Sequence, residues 1–338
     1  MRKKLKFAAA AMLALAMIAA GSGIEEGAKA SAAGNRYYIG GMTAGFTLSA
    51  GGAQVIGLSE VATEEGLFSP AAEAGIKAGD LIAAIDGIRV KTIEELNAAL
   101  ERSGGKEVRV VIKRDGESAE VVVCPKKEKK SGKYKMGVLI RDELSGIGTV
   151  TYVKCDTLRF GSLGHAVTDG KDSFEIADTK VYACSVIGVN KGTRGKAGEL
   201  RGLFLNDRPL AKAELVCPTG LYGTFSKDYD FSHTESVEAA PMSAATIGKA
   251  VIYSTVDGVL PQEYEVSIVK VDAGNRDNKN FVLKITDERL IEETGGIVQG
   301  MSGSPILQNG KLIGAVTHVF LNDPTRGYGI GIEKMLEN

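Results

Sequence analysis

Two hydrophobic patterns divide this chain. Up to about residue 125, short apolar runs flank one clearly amphipathic segment. Residues 44–48 and 54–58 read as strands, as do 108–112 and 120–124. Between them Thr92-Ile93-Glu94-Glu95 forms a capping box, and Ile93, Leu96 and Leu100 then share one helical face. Residues 126–133 are basic and lack large apolar side chains, which predicts an interdomain linker over 126–135. From 136 onward short β-type runs recur at 136–140, 147–153, 181–189, 210–216, 249–256, 265–271, 281–285 and 311–319. Turn residues separate them, and no long helical period intervenes until the extreme end. Many strands at this spacing predict a mainly β unit, a barrel or sandwich, and about 200 residues suit a pair of small barrels.

The N-terminus changes the picture. Met1-Arg2-Lys3-Lys4 is basic, Phe7 to Ala20 is apolar and uncharged, and small-residue patterns follow at Ala28-Lys29-Ala30 and Ala30-Ser31-Ala32. Residues 1–33 therefore read as a signal peptide or, uncleaved, as a membrane anchor, and the chain as exported. Charge excludes one class of partner: 41 basic against 42 acidic side chains give no concentrated cationic face for nucleic acid. The basic 126–133 run could instead touch an anionic membrane surface or act as a solvated tether. Cys124, Cys155, Cys184 and Cys217 form no CxxC pair, and with three histidines no metal-ligand cluster is expected, nor any cofactor. Cys124 and Cys217 sit in apolar runs and read as small hydrophobes.

The candidate chemistry lies in two glycine-framed motifs, Gly164-His165-Ala166-Val167 and Gly300-Met301-Ser302-Gly303-Ser304-Pro305. A serine hydroxyl needs a base, and histidine is the usual one near neutral pH. Ser302 is preferred to Ser304, because Pro305 restricts Ser304 to extended backbone. Glycines on both sides of Ser302 allow a sharp turn, with the amides of Gly300 and Ser302 available to a developing oxyanion. Of the other histidines, His233 sits in a polar stretch, and His318 ends the strand after the serine turn, where it could line a substrate pocket or simply pack.

Residues 69–87, Ser-Pro-Ala-Ala-Glu-Ala-Gly-Ile-Lys-Ala-Gly-Asp-Leu-Ile-Ala-Ala-Ile-Asp-Gly, resemble a PDZ domain, which would occupy 35–125. The resemblance implies a peptide-binding groove beginning at Gly45 and Phe46, since such domains bind peptides as an added strand. Thr294–Ile306, Gly310–Val319 and Phe160–Ala166 resemble the stage IV sporulation protein B peptidases, with the same order of leader, PDZ domain and chymotrypsin-like domain, here 136–338. That resemblance implies an exported serine endopeptidase of the forespore intermembrane space. It would cleave a membrane-tethered sporulation regulator, trigger pro-sigma factor processing and cut itself. It also implies Asp287, fifteen residues before Ser302, as the acid that orients His165. Asp169 and Asp172 are rivals by sequence proximity, and Asp287 could equally serve as a helix N-cap.

Trypsin-like enzymes have an aspartate before the serine that receives a new N-terminus. Met301 stands there, so activation by that salt bridge is excluded. Two readings compete with signalling proteolysis: a non-catalytic PDZ-containing adaptor, which would tolerate Ser302→Ala, and a general degradative protease, which would cut unfolded proteins broadly.

Overall fold

The computed structural model of the chain describes residues 36–167, 179–205 and 208–338. The leader expected over 1–33 lies outside the described residues, as do Asp169 and Asp172.

The expected pair of barrels is present. In the N-terminal one, Thr43–Leu58 pairs with Val138–Lys154, followed around the ring by Arg159–Ser162, Gly220–Phe225, Ala211–Cys217 and Lys180–Asn190. The last of these pairs back onto Thr43–Leu58 and closes the ring. Its core holds Phe46, Val150, Phe160, Val181, Leu221 and Phe225. The C-terminal barrel closes through Gly248–Ser254, Gln262–Val271, Phe281–Ile285, Asp323–Gly331, Lys311–Phe320 and Pro305–Gln308. Ile252, Tyr264, Phe281, Leu283, Ile306 and Val316 fill it. Counted in chain order, each ring runs first, second, third, sixth, fifth, fourth. Two barrels repeating one such circuit are the chymotrypsin-like architecture, and every ring strand is paired on both sides.

Among the barrel strands outside the expected runs, Gly220–Phe225 and Asp323–Gly331 are rich in glycine. Glycine is needed there for close approach. A Cβ on Gly223 would lie 2.0 Å from the Lys212 carbonyl oxygen, and one on Gly329 would lie 2.8 Å from Ile306 Cδ1.

The PDZ unit has its own core of Val55, Ile76, Ile82, Leu96, Leu100, Val110 and Met136. Its Ile93–Ser103 helix starts as expected: the Thr92 hydroxyl accepts from the Glu95 amide at 3.2 Å, while the Glu95 carboxylate accepts from the Lys91 amide at 2.7 Å. The helix stops at Gly104 in the left-handed region, and Leu96, Ala99 and Leu100 form its buried face.

The expected boundaries, 35–125, 126–135 and 136–338, need correction. The two runs 44–48 and 54–58 belong to one continuous strand, Thr43–Leu58, which pairs with Val138–Lys154 from Leu58↔Val138 to Thr43↔Thr149. The PDZ unit is thus inserted into the hairpin joining the first two strands of the N-terminal barrel. Arg36–Ile39 also belongs to the peptidase side, pairing with the far end of Val138–Lys154. Gly45 and Phe46 cannot open a peptide groove. Both edges of the strand are taken there, by Gly146 and Ile147 on one side and Val181 and Tyr182 on the other. Phe46 is buried in the barrel core at 2% exposure. The basic segment is not a tether either. Lys126–Lys127 pairs with Tyr134–Lys135, and the Tyr134 amide donates to the Glu101 carboxylate at 2.7 Å. The hairpin so formed packs against the end of the PDZ helix.

Candidate active site

Ser302 sits on the loop between the Glu288–Thr294 helix and the Pro305–Gln308 strand. Within the loop the Met301 amide donates to Val298 O at 3.1 Å and the Ser304 amide to Met301 O at 2.9 Å, and the Gly303 amide donates to Val316 O on the Lys311–Phe320 strand at 2.8 Å. Gly300 and Gly303 both have φ of +98°, which L side chains rarely adopt. A Cβ on Gly303 would also lie 2.1 Å from Thr149 O and 2.6 Å from the Leu163 amide nitrogen. Only glycine lets the serine turn lie this close to the N-terminal barrel. The amides of Gly300 and Ser302 find no acceptor among the described residues, which leaves both free for an oxyanion.

The two serines of the motif are physically different. Ser302 is half-buried, and its hydroxyl donates to the Thr317 carbonyl at 2.8 Å. Ser304 is fully buried, and its Oγ donates to the Ser254 hydroxyl at 3.1 Å. The preference for Ser302 therefore has a packing basis as well as a backbone one.

His165 comes from the opposite barrel, just after Arg159–Ser162. Leu163 and Gly164 take φ of 68° and 70°, two consecutive left-handed residues that swing the chain across the interface. The Cβ that Gly164 lacks would lie 3.0 Å from Thr317 Cγ2 and from Ile330 Cγ2, both in the C-terminal barrel. Leu163 in turn flanks Gly303, so the backbones of the two motifs touch. His165 Nδ1 lies 2.8 Å from the Ala166 carbonyl oxygen. A carbonyl can only accept, so Nδ1 carries the proton and Nε2 presents its lone pair. Burial holds the His165 pKa below the usual imidazole range, with the Ala166 contact opposing. His318 packs beside it, ring centroids 5.0 Å apart and planes at 44°. Its pKa is also depressed, first by desolvation and then by His165 and Lys279. His233 is exposed in its turn, as expected.

Asp287 does not reach His165. One carboxylate oxygen accepts from the Arg289 amide at 3.0 Å, Arg289 Nε at 3.1 Å and the Leu290 amide at 3.4 Å. The other accepts from the Glu265 amide at 3.3 Å and Arg289 Nη2 at 2.8 Å. The side chain is the N-cap of the Glu288–Thr294 helix and an ion-pair partner. Arg289 beside it, more than the opposing desolvation, holds its carboxyl below the usual range. The innocent role of this aspartate is the one the geometry displays, and the orienting contact to the imidazole comes from a backbone carbonyl.

Three groups at the site carried no sequence signal: the Ala166 and Thr317 carbonyls, which any residue supplies, and Thr149, one of two threonines in Thr149-Val150-Thr151. A second concavity lies on the PDZ unit, a groove of about 460 Å³ between the Ile93–Ser103 helix and residues 136–140. Ile93, Leu96 and Leu100 line one wall, and Val138, Leu139 and Ile140 the other.

Sequence comparison agrees with this layout. The family described as SpoIVB peptidase S55 matches residues 132–336, and a PDZ domain family matches 61–114. Among curated proteins, LL2128 of Lactococcus lactis subsp. lactis (strain IL1403), whose name describes it as a zinc metalloprotease, is 36% identical over 107 residues. That alignment covers 29% of this chain and 24% of the relative. The regulator of sigma-W protease RasP of Bacillus subtilis (strain 168) is 34% identical over 67 residues, 20% of this chain and 16% of the relative. The chain thus spans a quarter or less of the length of these relatives. A solved PDZ domain of the SdrC-like protein of Listeria monocytogenes shares 24% identity, covering 26% of this chain and 86% of that one, with a TM-score of 0.22.

Proposed function

This chain belongs to the SpoIVB peptidase S55 family, and from that premise we propose that Ser302 is its nucleophile, His165 its general base, and the Gly300 and Ser302 amides its oxyanion hole. Membership of the family supports a sporulation-related serine endopeptidase that carries a PDZ domain. The observation that supports the residue roles is the meeting of the two glycine motifs across the barrel interface, with two unspent amides beside a half-buried serine.

In the reaction the Ser302 hydroxyl leaves the Thr317 carbonyl and gives its proton to His165 Nε2 as Oγ attacks the scissile carbonyl. The new oxyanion takes hydrogen bonds from the Gly300 and Ser302 amides. The imidazolium returns its proton to the departing amine, and water then releases the acyl group by the same route. The Ala166 carbonyl keeps the ring in the productive tautomer throughout.

The substrate is a protein: in this reading a membrane-tethered sporulation regulator, cut outside the forespore membrane by an exported enzyme that also cuts its own N-terminal region. Peptide binding belongs to the groove between the Ile93–Ser103 helix and residues 136–140, where an extended segment would lie against the helix. The test is direct. Full-length wild type, Ser302→Ala and His165→Ala are incubated alone and with a fluorophosphonate probe, and followed by gel and mass spectrometry. Labelling at Ser302 and self-processing are expected in wild type and absent from both variants. Undiminished processing in Ser302→Ala would overturn the assignment.

A further inference from the structure

Met301 occupies the place where trypsin-like enzymes keep the aspartate that locks the oxyanion loop, and its side chain is fully buried in the C-terminal barrel core. The loop must be held by something else. It is held from the other barrel. Thr149, fully buried on the Val138–Lys154 strand, donates its hydroxyl to the Gly300 carbonyl at 2.7 Å. Its amide donates to the Ser302 carbonyl at 3.0 Å, and its own carbonyl accepts from the Leu163 amide at 3.3 Å. The Gly300 carbonyl belongs to the 300–301 peptide unit and the Ser302 carbonyl to the 302–303 unit, so anchoring both brackets the 301–302 unit that carries the Ser302 amide. The Ser302 amide is thereby set between two anchored units, while the 299–300 unit that carries the Gly300 amide is anchored through Gln299 O. On the far side, the Leu200 amide donates to Gln299 O and the Gln299 amide to Gly198 O, both at 2.8 Å.

We propose that Thr149 is a positioning residue that keeps the oxyanion loop assembled, taking over the task of the missing internal salt bridge. Of its three bonds only the one to Gly300 O depends on the side chain, so this is the bond a substitution can remove. The hydroxyl satisfies a carbonyl that valine, of nearly the same shape, would leave without a partner. The same residue ties the loop to Leu163, two residues before His165. One threonine thus spans nucleophile loop and base loop.

The inference rests on the Ser302 reading, and the experiment separates the two. Full-length wild type, Thr149→Val, Thr149→Ser and Ser302→Ala are reacted with a fluorophosphonate. Its phosphoryl oxygen takes the oxyanion position, so the maximal labelling rate and the half-saturating concentration can be read separately. Thr149→Val should lower the maximal rate about 10- to 100-fold with the half-saturating concentration unchanged, a smaller loss than removing a hole donor outright. Thr149→Ser, which keeps the hydroxyl, should stay within about threefold of wild type. Should Thr149→Val fail to fold by thermal denaturation, Thr149→Ala against Thr149→Ser carries the same comparison. Thr149→Val labelling at the wild-type rate overturns the clamp, and so do equal losses in the Val and Ser variants or a change confined to half-saturation. Continued labelling of Ser302→Ala overturns instead the site on which the clamp was built.

Discussion

Replacing Asp287 by asparagine and by alanine distinguishes a helix cap from a catalytic acid. In the structure the carboxylate is 8% exposed and spends both oxygens on the Arg289 side chain and three backbone amides. Alanine removes the cap, at about 0.5–2 kcal/mol, and strands the Glu265 amide as well. For a chain of this size about 1 kcal/mol moves the thermal midpoint by ~2–4 °C, so Asp287→Ala should melt several degrees early. Asparagine caps nearly as well as aspartate, and its remaining oxygen can still accept from Arg289 and Leu290. The ion pair it gives up faces an Arg289 side chain that is 65% exposed, where solvent screens most of the benefit. Asp287→Asn should therefore melt close to wild type at neutral pH. The folded carboxyl titrates below its unfolded value, so its contribution is present above the unfolded carboxylate range and fades as pH falls through the folded one. The asparagine variant should lack that part of the acid loss. On this geometry its fluorophosphonate labelling rate stays within about threefold of wild type, because no proton or imidazole depends on the carboxylate. An orienting acid behaves otherwise: its asparagine variant keeps the fold and loses on the order of 10⁴ in rate. A hundredfold or greater loss in Asp287→Asn at an unchanged melting temperature would refute the cap-only reading.

Two more outcomes follow from the site. Burial lowers the His165 pKa, and the base must be neutral to accept the Ser302 proton, so the acid limb of the labelling-rate profile should have its midpoint below the usual histidine value. A midpoint above about 7 would contradict the desolvated imidazole. Gly303→Ala sets a methyl against Thr149 O at a φ of +98° and should cost at least ~2 kcal/mol together with nearly all labelling. A well-folded, fully reactive Gly303→Ala would mean that the loop sits differently against the N-terminal barrel.

Much of this was legible in the chain because it depends on local patterns. The capping box at Thr92 and Glu95, the β-type runs after 136 and the paired glycine motifs each encode their element within a few residues. What escaped was non-local. Nothing between Gly45 and Leu58 announces that one strand serves two domains, since an insertion leaves no mark on the alternation of the strand it interrupts. The run 126–133 is polar in composition, yet Lys126–Lys127 finds partners in Tyr134–Lys135 and gains order from a tertiary contact to Glu101. Cys124, in an apolar run, ends exposed, whereas Cys184 is the buried one. Asp287 was expected only from the resemblance, on its spacing to Ser302, whereas its side chain's direction is set by the helix it begins. The oxyanion frame was unreadable because Thr149 meets Gly300 across 151 positions of chain.

The insertion also bears on how the polypeptide comes together. As the chain is synthesised, Thr43–Leu48 emerges long before any of its barrel partners and has nothing to pair with. The PDZ unit follows and contains all the contacts it needs for its own core. Once folded, it holds Gly57 against Leu139 and Val55 against Ile140. Closing the first hairpin of the barrel across some hundred residues of free chain would carry a loop entropy that grows with the logarithm of that length. With the PDZ unit already folded, the two halves start in register and zip from Leu58↔Val138 to Thr43↔Thr149. The PDZ unit thus occupies, in the chain, the place of the turn in the barrel's first hairpin.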